Sequence, residues 1–165
     1  MQERLRMSFE ELGPTFIKLG QVLATRPDLI PSSFAHEFKK LHDNVQAEPF
    51  KEMEAILKKH FPKLEDVFLT IDERPIATAS IAQVHAARLR DGTDVVLKIR
   101  KPKILKIIRE DLNVLYFIAN LLETSVPELK VYNPTMIVDE FFKTMEQETN
   151  FLAEANNILR FRKNF

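Results

Sequence analysis

The sequence predicts an α+β fold in which a small antiparallel sheet lies between helical segments. Three observations point there. Apolar residues recur at helical spacing before residue 60 and again after Pro102, β-branched and aliphatic residues gather between Val67 and Ile99, and Asp91-Gly92 separates the last two of those runs.

From the N-terminus, Ser8 is placed to cap a helix on which Phe9, Leu12, Phe16, Ile17, Leu19 and Leu23 recur, with Gly13-Pro14 interrupting it and Pro27 ending it. Ser32 to Leu41 and Pro49 to His60 read as two short helices, the second carrying Phe50, Met53, Ile56 and Leu57 on one face. Val67–Ile71, Ile81–Leu89 and Asp94–Ile99 read as strands, with the Asp-Gly pair turning the last two into a hairpin. After Pro102, Ile104, Ile108, Leu112, Leu115, Ile118 and Leu122 return to helical period, and the stretch Val114 to Leu122 reads as a buried helix. A last helix is expected to start with Asn133 as cap and Pro134 at its first position, and to run to the C-terminus unbroken.

Length and composition bound the function. A chain of 165 residues supports one domain with a core and is too short for two large lobes. Twenty-four basic side chains balance twenty-four acidic ones, which argues against a nucleic-acid partner, since phosphate contacts call for a basic surplus. With no Cys there is no disulfide framework, thiolate metal site or Cys nucleophile. With three Gly the chain has no Walker or Rossmann loop. The longest apolar stretch falls far short of the ~20 residues that cross a bilayer. Absence of a presequence predicts a cytoplasmic, bacterial location.

Candidate chemistry begins at Lys98, which stands inside the strand Val96-Leu97-Lys98-Ile99. An ammonium on a buried strand demands a polar partner, because leaving it unpaired costs several kcal/mol, on the order of the penalty for a desolvated ion. Either Lys98 snorkels from an edge, or a carboxylate on the last helix, Glu148 or Glu154, meets it. His85 has no second His or carboxylate at ligand spacing and reads as a packed structural residue. The basic run Arg100, Lys101, Lys103, Lys106 and Arg109 reads as a solvated face.

Three motifs in one order carry a family resemblance: Leu12-Gly13-Pro14-Thr15-Phe16-Ile17-Lys18-Leu19-Gly20-Gln21, then Pro75-Ile76-Ala77-Thr78-Ala79-Ser80-Ile81-Ala82-Gln83-Val84-His85, then Val95-Val96-Leu97-Lys98-Ile99-Arg100-Lys101-Pro102. From about residue 8 to Phe165 the chain resembles the UbiB family of atypical kinase-like proteins, also called ABC1 or ADCK. The resemblance implies a protein-kinase-like N-lobe over residues 64–165 preceded by a helical N-terminal extension over residues 1–63, with the C-lobe absent from this chain.

Residue by residue, the resemblance makes Lys18 and Gln21 the Lys and Gln of the Lys-x-Gly-Gln motif, on an extension that folds across the active site. Gly20 between them permits close packing. Ala77, Thr78, Ala79 and Ser80 occupy the place of the Ala-rich loop that replaces a kinase's Gly-rich loop, with Thr78 where Ala is usual. Residues with a Cβ cannot wrap backbone amides round phosphate as glycines do, so such a loop holds a nucleotide by other contacts and disfavours ordinary phosphoryl transfer to proteins. Lys98 matches the strand lysine that contacts nucleotide phosphates, with Glu154 as its partner. Glu148 is expected to meet Lys18, about 120° round a continuous helix from Glu154. Asn150 stands where the family commonly has Asp, and an amide does not replace a carboxylate toward Mg²⁺.

The implied function is the nucleotide-binding part of an atypical kinase or ATPase that supports ubiquinone or related prenyl-lipid biosynthesis. ATP or ADP with Mg²⁺ would be the cofactors, complete only with the C-lobe, which would supply the catalytic and metal-binding residues; this chain alone would then be inactive. Expected partners are its own C-lobe, prenyl-quinone or lipid biosynthesis proteins, and membrane lipids at the cytoplasmic face. The competing class is a non-catalytic, nucleotide-gated scaffold or lipid-extraction factor.

Overall fold

Gly13 and Pro14 divide the N-terminal helix as their chemistry dictates. Gly13 adopts φ 100°, open to a residue without a Cβ, and ends α1 (Gln2–Leu12), while Pro14 occupies the first position of α2 (Pro14–Ala24), where its missing amide is not needed. The structure, a computed structural model, describes residues 1–41 and 46–164; residues 42–45, within the expected extension, and Phe165 lie outside the described residues. Ser8 is not a cap. It sits inside α1, where its hydroxyl donates to the Arg4 carbonyl at 3.0 Å, because the helix already begins at Gln2. With α3 (Ser32–Phe38), these helices close over Ile17, Ala24, Phe38 and Leu41, and Phe9 stacks on Phe38 at 5.0 Å between ring centroids.

Helix α4 (Phe50–His60) turns Met53 and Leu57 onto the sheet, against Leu97 and Ile99. The sheet comprises β1 (Phe68–Ile71), β2 (Ala77–Thr78), β3 (Ala82–Leu89) and β4 (Asp94–Arg100). All pairing is antiparallel. Strand β3 is central: β4 lies along one edge, while β1 and β2 share the other, opposite Ala87–Leu89 and Gln83–Val84 respectively. The β3–β4 connection turns at Gly92, φ 88°, where the Asp91 carboxylate accepts from the Thr93 amide. Strand β2 was not anticipated, because two residues carry no readable alternation.

Helix α5 (Ile104–Ser125) packs on α6 (Pro134–Thr149) along the stripe Ile104, Ile108, Leu112 and Ala119, against Val138, Phe141 and Met145. Phe141 and Met145 are each 1% exposed, a burial worth about 1.5–3 kcal/mol per side chain. Leu19 and Val22 of α2 join this cluster, so the N-terminal helices dock on the α5–α6 layer through apolar contact. The expectation that Val114 to Leu122 is buried is corrected here: Ala119 is buried, but Val114, Phe117, Ile118 and Leu121 are exposed, Phe117 at 70%. An apolar run wraps all sides of a helix, and α6 covers only one of them.

Two further corrections concern the C-terminal helices. Asn133 adopts left-handed geometry (φ 50°) and makes no side-chain cap; Glu123 of α5 does that work, accepting from both the amide and the hydroxyl of Thr135. The expected single helix is two, α6 and α7 (Phe151–Asn164), divided at Asn150 (ψ 79°). Asn150 then caps α7, its Oδ1 accepting from the Ala153 amide at 3.0 Å.

Candidate functional site

Strand β4 sorts its side chains by the two-residue period of the pleat. Leu97 and Ile99 face α4, whereas Lys98 and Arg100 face the α6–α7 junction. On that second face the Lys98 ammonium donates to Glu154 Oε2 at 2.5 Å, and the same nitrogen lies 4.7 Å from the centre of the Phe151 ring. Glu154 stands in the first turn of α7, where the amide dipoles favour a carboxylate. Arg100 holds the junction itself: its Nη2 donates to the Thr149 carbonyl at 2.7 Å, and its guanidinium lies 5.4 Å from the same Phe151 ring. Phe151 is therefore flanked by two cations from one strand. The break at Asn150 brings α7 back across the sheet so that Glu154 reaches Lys98.

The extension approaches from the other side. Lys18 of α2 pairs with Glu148 of α6 at 3.4 Å, whereas Glu154 of α7 serves Lys98 of β4. The two carboxylates are separated by the helix break rather than by rotation about one helix axis, which corrects the continuous-helix geometry. Gly20 lies against Leu41: a Cβ there would collide with Leu41 Cδ1 and approach Phe9 Cδ2 to 2.9 Å. Gln21 Nε2 donates to the Leu41 carbonyl at 3.3 Å. Lys18, Gly20 and Gln21 thus have separate tasks, one toward Glu148 and two toward Leu41.

A cavity of about 1370 Å³ opens between β4, α6 and α7, bordered by Lys98, Glu148, Asn150, Glu154, Asn157 and Lys143 among others. Ala77, Thr78, Ala79 and Ser80 do not line it. Ala77 and Thr78 pair with β3, Ala79 donates its amide to the Ala82 carbonyl at 2.8 Å, and Ser80 is buried at 2% exposure. Among the described residues, no three His, Asp or Glu side chains converge as a metal site. The Asn150 side-chain oxygen accepts the α7 cap bond from the Ala153 amide.

His85 is a fully buried structural residue that packs 5.3 Å from the Phe50 ring, as its isolation from other ligands suggests. The basic run is corrected at two positions. Arg100 is spent on the α6–α7 junction, and Lys101 is buried, its Nζ donating to the Gln46 carbonyl at 3.2 Å; burial holds its ammonium below the ordinary lysine value, with Glu48 opposing the shift. Lys103, Lys106 and Arg109 remain exposed. Sequence reasoning missed Arg100 and Phe151 as site residues. The i, i+2 spacing of Lys98 and Arg100 on a strand was the available signal.

Comparison with known proteins fits this geometry. Residues 40–165 match the ABC1 atypical kinase-like domain. Over 164 residues the chain is 40% identical to a protein of Marinobacter nauticus described as a probable protein kinase UbiB, covering 99% of this chain and 30% of that one. A Clostridium pasteurianum protein, described only as an uncharacterized protein in the hydrogenase 1 5' region, is 42% identical over 162 residues, with 98% and 30% covered. The chain thus spans 30% of the length of both relatives. Among solved structures, the Rv3197–erythromycin complex from Mycobacterium tuberculosis superimposes with a TM-score of 0.62 at 27% identity, covering 88% of this chain and 37% of that one. With its sheet, its helical extension and its Lys98–Glu154 pair, the chain belongs to the ABC1 atypical kinase-like family, with UbiB proteins among its relatives.

Proposed function

We propose that the Lys98–Glu154 cleft binds the phosphates of ATP or ADP, as the N-lobe share of the nucleotide site in a UbiB-like atypical kinase or ATPase. The observation that carries this reading is the strand lysine, half exposed at the cavity edge and paired with a helix carboxylate. Glu154 orients the ammonium without consuming it: both partners keep contact with solvent, so a phosphate oxygen can approach Lys98 at small desolvation cost. Lys143 adds a second cation at the rim. Magnesium, when bound with the nucleotide, would neutralise phosphate charge, and its ligands would come from residues beyond those described, in line with relatives more than three times as long.

The domain division follows the same reading: an extension over residues 1–63 that lays Lys18 beside the cleft, and an N-lobe over residues 64–165 that awaits a C-lobe. Helix α4, on the extension side of that boundary by number, packs on the sheet. A role in ubiquinone or related prenyl-lipid biosynthesis, with lipid-biosynthesis proteins and a membrane face as partners, rests on the UbiB resemblance. No described helix is long and apolar enough to cross a membrane. One observation favours the nucleotide-gated scaffold as a second reading: the 77–80 segment is a sheet-bound turn with Ser80 buried, so it presents no glycine-like cradle to a transferring phosphate.

The test is nucleotide binding and Mg²⁺-dependent phosphate release by the intact protein, wild type against Lys98→Ala. Binding with turnover, both lost in the variant, supports the kinase or ATPase. Lys98-dependent binding without turnover supports the scaffold, and binding that ignores Lys98 defeats both.

A further inference from the structure

Helices α2 and α6 carry matched charges, of which the cleft uses one pair. Thr15, Lys18, Leu19 and Val22 recur three and four residues apart and so share one face of α2, and Arg26 follows four residues after Val22, just past the helix end. Its amide donates to the Leu23 carbonyl at 3.0 Å, which ties it to the last turn. On α6, Glu140 and Glu148 stand eight residues apart, about 12 Å along the helix, beside buried Phe141 and Met145. Lys18 meets Glu148 at 3.4 Å, and Arg26 Nη1 donates to Glu140 Oε2 at 3.0 Å. Between the two ion pairs, Leu19 and Val22 join the cluster of Phe141 and Met145.

Cations and carboxylates are thus spaced alike, eight residues apart, on two elements that run in opposite directions. Apolar contact is non-directional, so Leu19 and Val22 alone would tolerate sliding along α6. Two charge pairs of matched spacing are satisfied together in a single alignment. A slip of one turn toward the start of α6 sets Lys18 against Thr144 and Arg26 against Met136, and both pairs are lost at once. Arg26 is also held ready for its partner. Asp28 grips the guanidinium from two residues away, Oδ1 accepting from Nε at 2.9 Å and Oδ2 from Nη2 at 2.7 Å, which leaves Nη1 for Glu140. Pro27 between them restricts the backbone of that turn.

We propose that Arg26, oriented by Asp28, is a positioning residue that sets the register of α2 on α6 through Glu140, and so keeps Lys18 on Glu148 at the cleft wall. Every link is direct: α2 and its closing turn join Arg26 to Lys18, and α6 joins Glu140 to Glu148. The bearing on nucleotide binding rests on the function proposed above; the register itself does not.

The experiment couples Lys18 to Glu148 in the intact protein with a zero-length carbodiimide and quantifies the cross-linked peptide by mass spectrometry. Arg26 and Glu140 are both exposed, so their variants should fold, and thermal melting of the same samples verifies it. Arg26→Gln and Glu140→Gln should each lower the yield about threefold, the scale of one exposed ion pair, and the double variant should fall no further than either. Arg26→Lys keeps a cation for Glu140 and should recover part of the yield. Lys40→Gln is the control: it removes a pair with Glu37 elsewhere in the extension and should leave the yield unaltered. Unchanged yields in Arg26→Gln and Glu140→Gln overturn the proposal. So do additive losses in the double variant, no recovery in Arg26→Lys, or an equal loss in Lys40→Gln. Nucleotide titrations keep the two ideas apart, since a wild type that binds neither ATP nor ADP defeats the proposed function while the coupling yields still judge Arg26.

Discussion

Leu41 occupies the volume that a side chain at position 20 would need, so the glycine between Lys18 and Gln21 is a packing requirement and not a conformational one. Gly20 sits within α2, where alanine would gain about 1 kcal/mol of helix propensity. Against that gain stands a collision with Leu41 Cδ1, which is buried among Phe38 and Phe9 and has little room to yield.

Gly20→Ala should therefore destabilise by about 1–3 kcal/mol, the usual cost of overpacking, in denaturant unfolding. Leu41→Ala should cost less in that background than in wild type, because the alanine methyl at position 20 fills part of the space it vacates. Strict additivity of the two substitutions would mean that they do not compete for space.

Lys98 and Glu154 are more than a third exposed on both sides, so their pairing contributes little to stability. Lys98→Ala and Glu154→Ala should each shift unfolding by less than about 1 kcal/mol. In nucleotide titrations of the intact protein each should weaken affinity, and the double variant should lose less than the sum; additive losses would show that they act separately.

Asn150 carries the α7 cap through a carbonyl oxygen that a carboxylate reproduces. Asn150→Ala should cost about 1 kcal/mol, whereas Asn150→Asp should stay near wild type. Thermal melting distinguishes the two, and an equal loss in both would place the value of the residue elsewhere than in its cap.

Glu123 gives the fold an acid-sensitive joint. Hydrogen bonds from the Thr135 amide, then from its hydroxyl, hold the carboxyl below the ordinary glutamate value, partial burial opposing and Lys130 helping. A depressed folded-state value means stability that is fully present above the unfolded value, about 4.3, and lost as pH falls through the folded one. The advantage of wild type over Glu123→Gln in urea midpoint should hold from pH 7 to about 5 and shrink below the ordinary value. A difference that stays constant down to pH 3 would refute the linkage.

Phe117 projects from α5 at 70% exposure. Phe117→Gln should change stability by no more than about 0.5 kcal/mol and reduce self-association in sedimentation, because it removes apolar area from the surface and nothing from the core. A loss of several kcal/mol, on the scale of a core truncation, would mean the side chain is buried in solution.

Much of this architecture was legible because local rules and tertiary packing agree. Gly13-Pro14 ends one helix and begins the next, Asp91-Gly92 turns the hairpin, and the aliphatic stripe of α5 names its packed side. What escaped depends on partners distant in sequence. Glu123 substitutes for the expected Asn133 cap from another helix, and β2 exists only because β3 offers it an edge. The exposed side of α5 reads the same as its buried side, since periodicity reports what a helix could bury and not how many neighbours arrive. At the site, Lys98 drew attention as a cation in an apolar strand, while Arg100 and Lys101 were hidden within a basic run whose members face opposite ways.

That opposition makes β4 intolerant of insertions and deletions. A single residue gained or lost between Asp94 and Lys98 would exchange the two sides of the ribbon, turning Lys98 under α4 and sending Leu97 and Ile99 into the cleft. The turn at 90–93 is where the hairpin should accept an extra residue, since an insertion there leaves the alternation of the flanking strands unaltered.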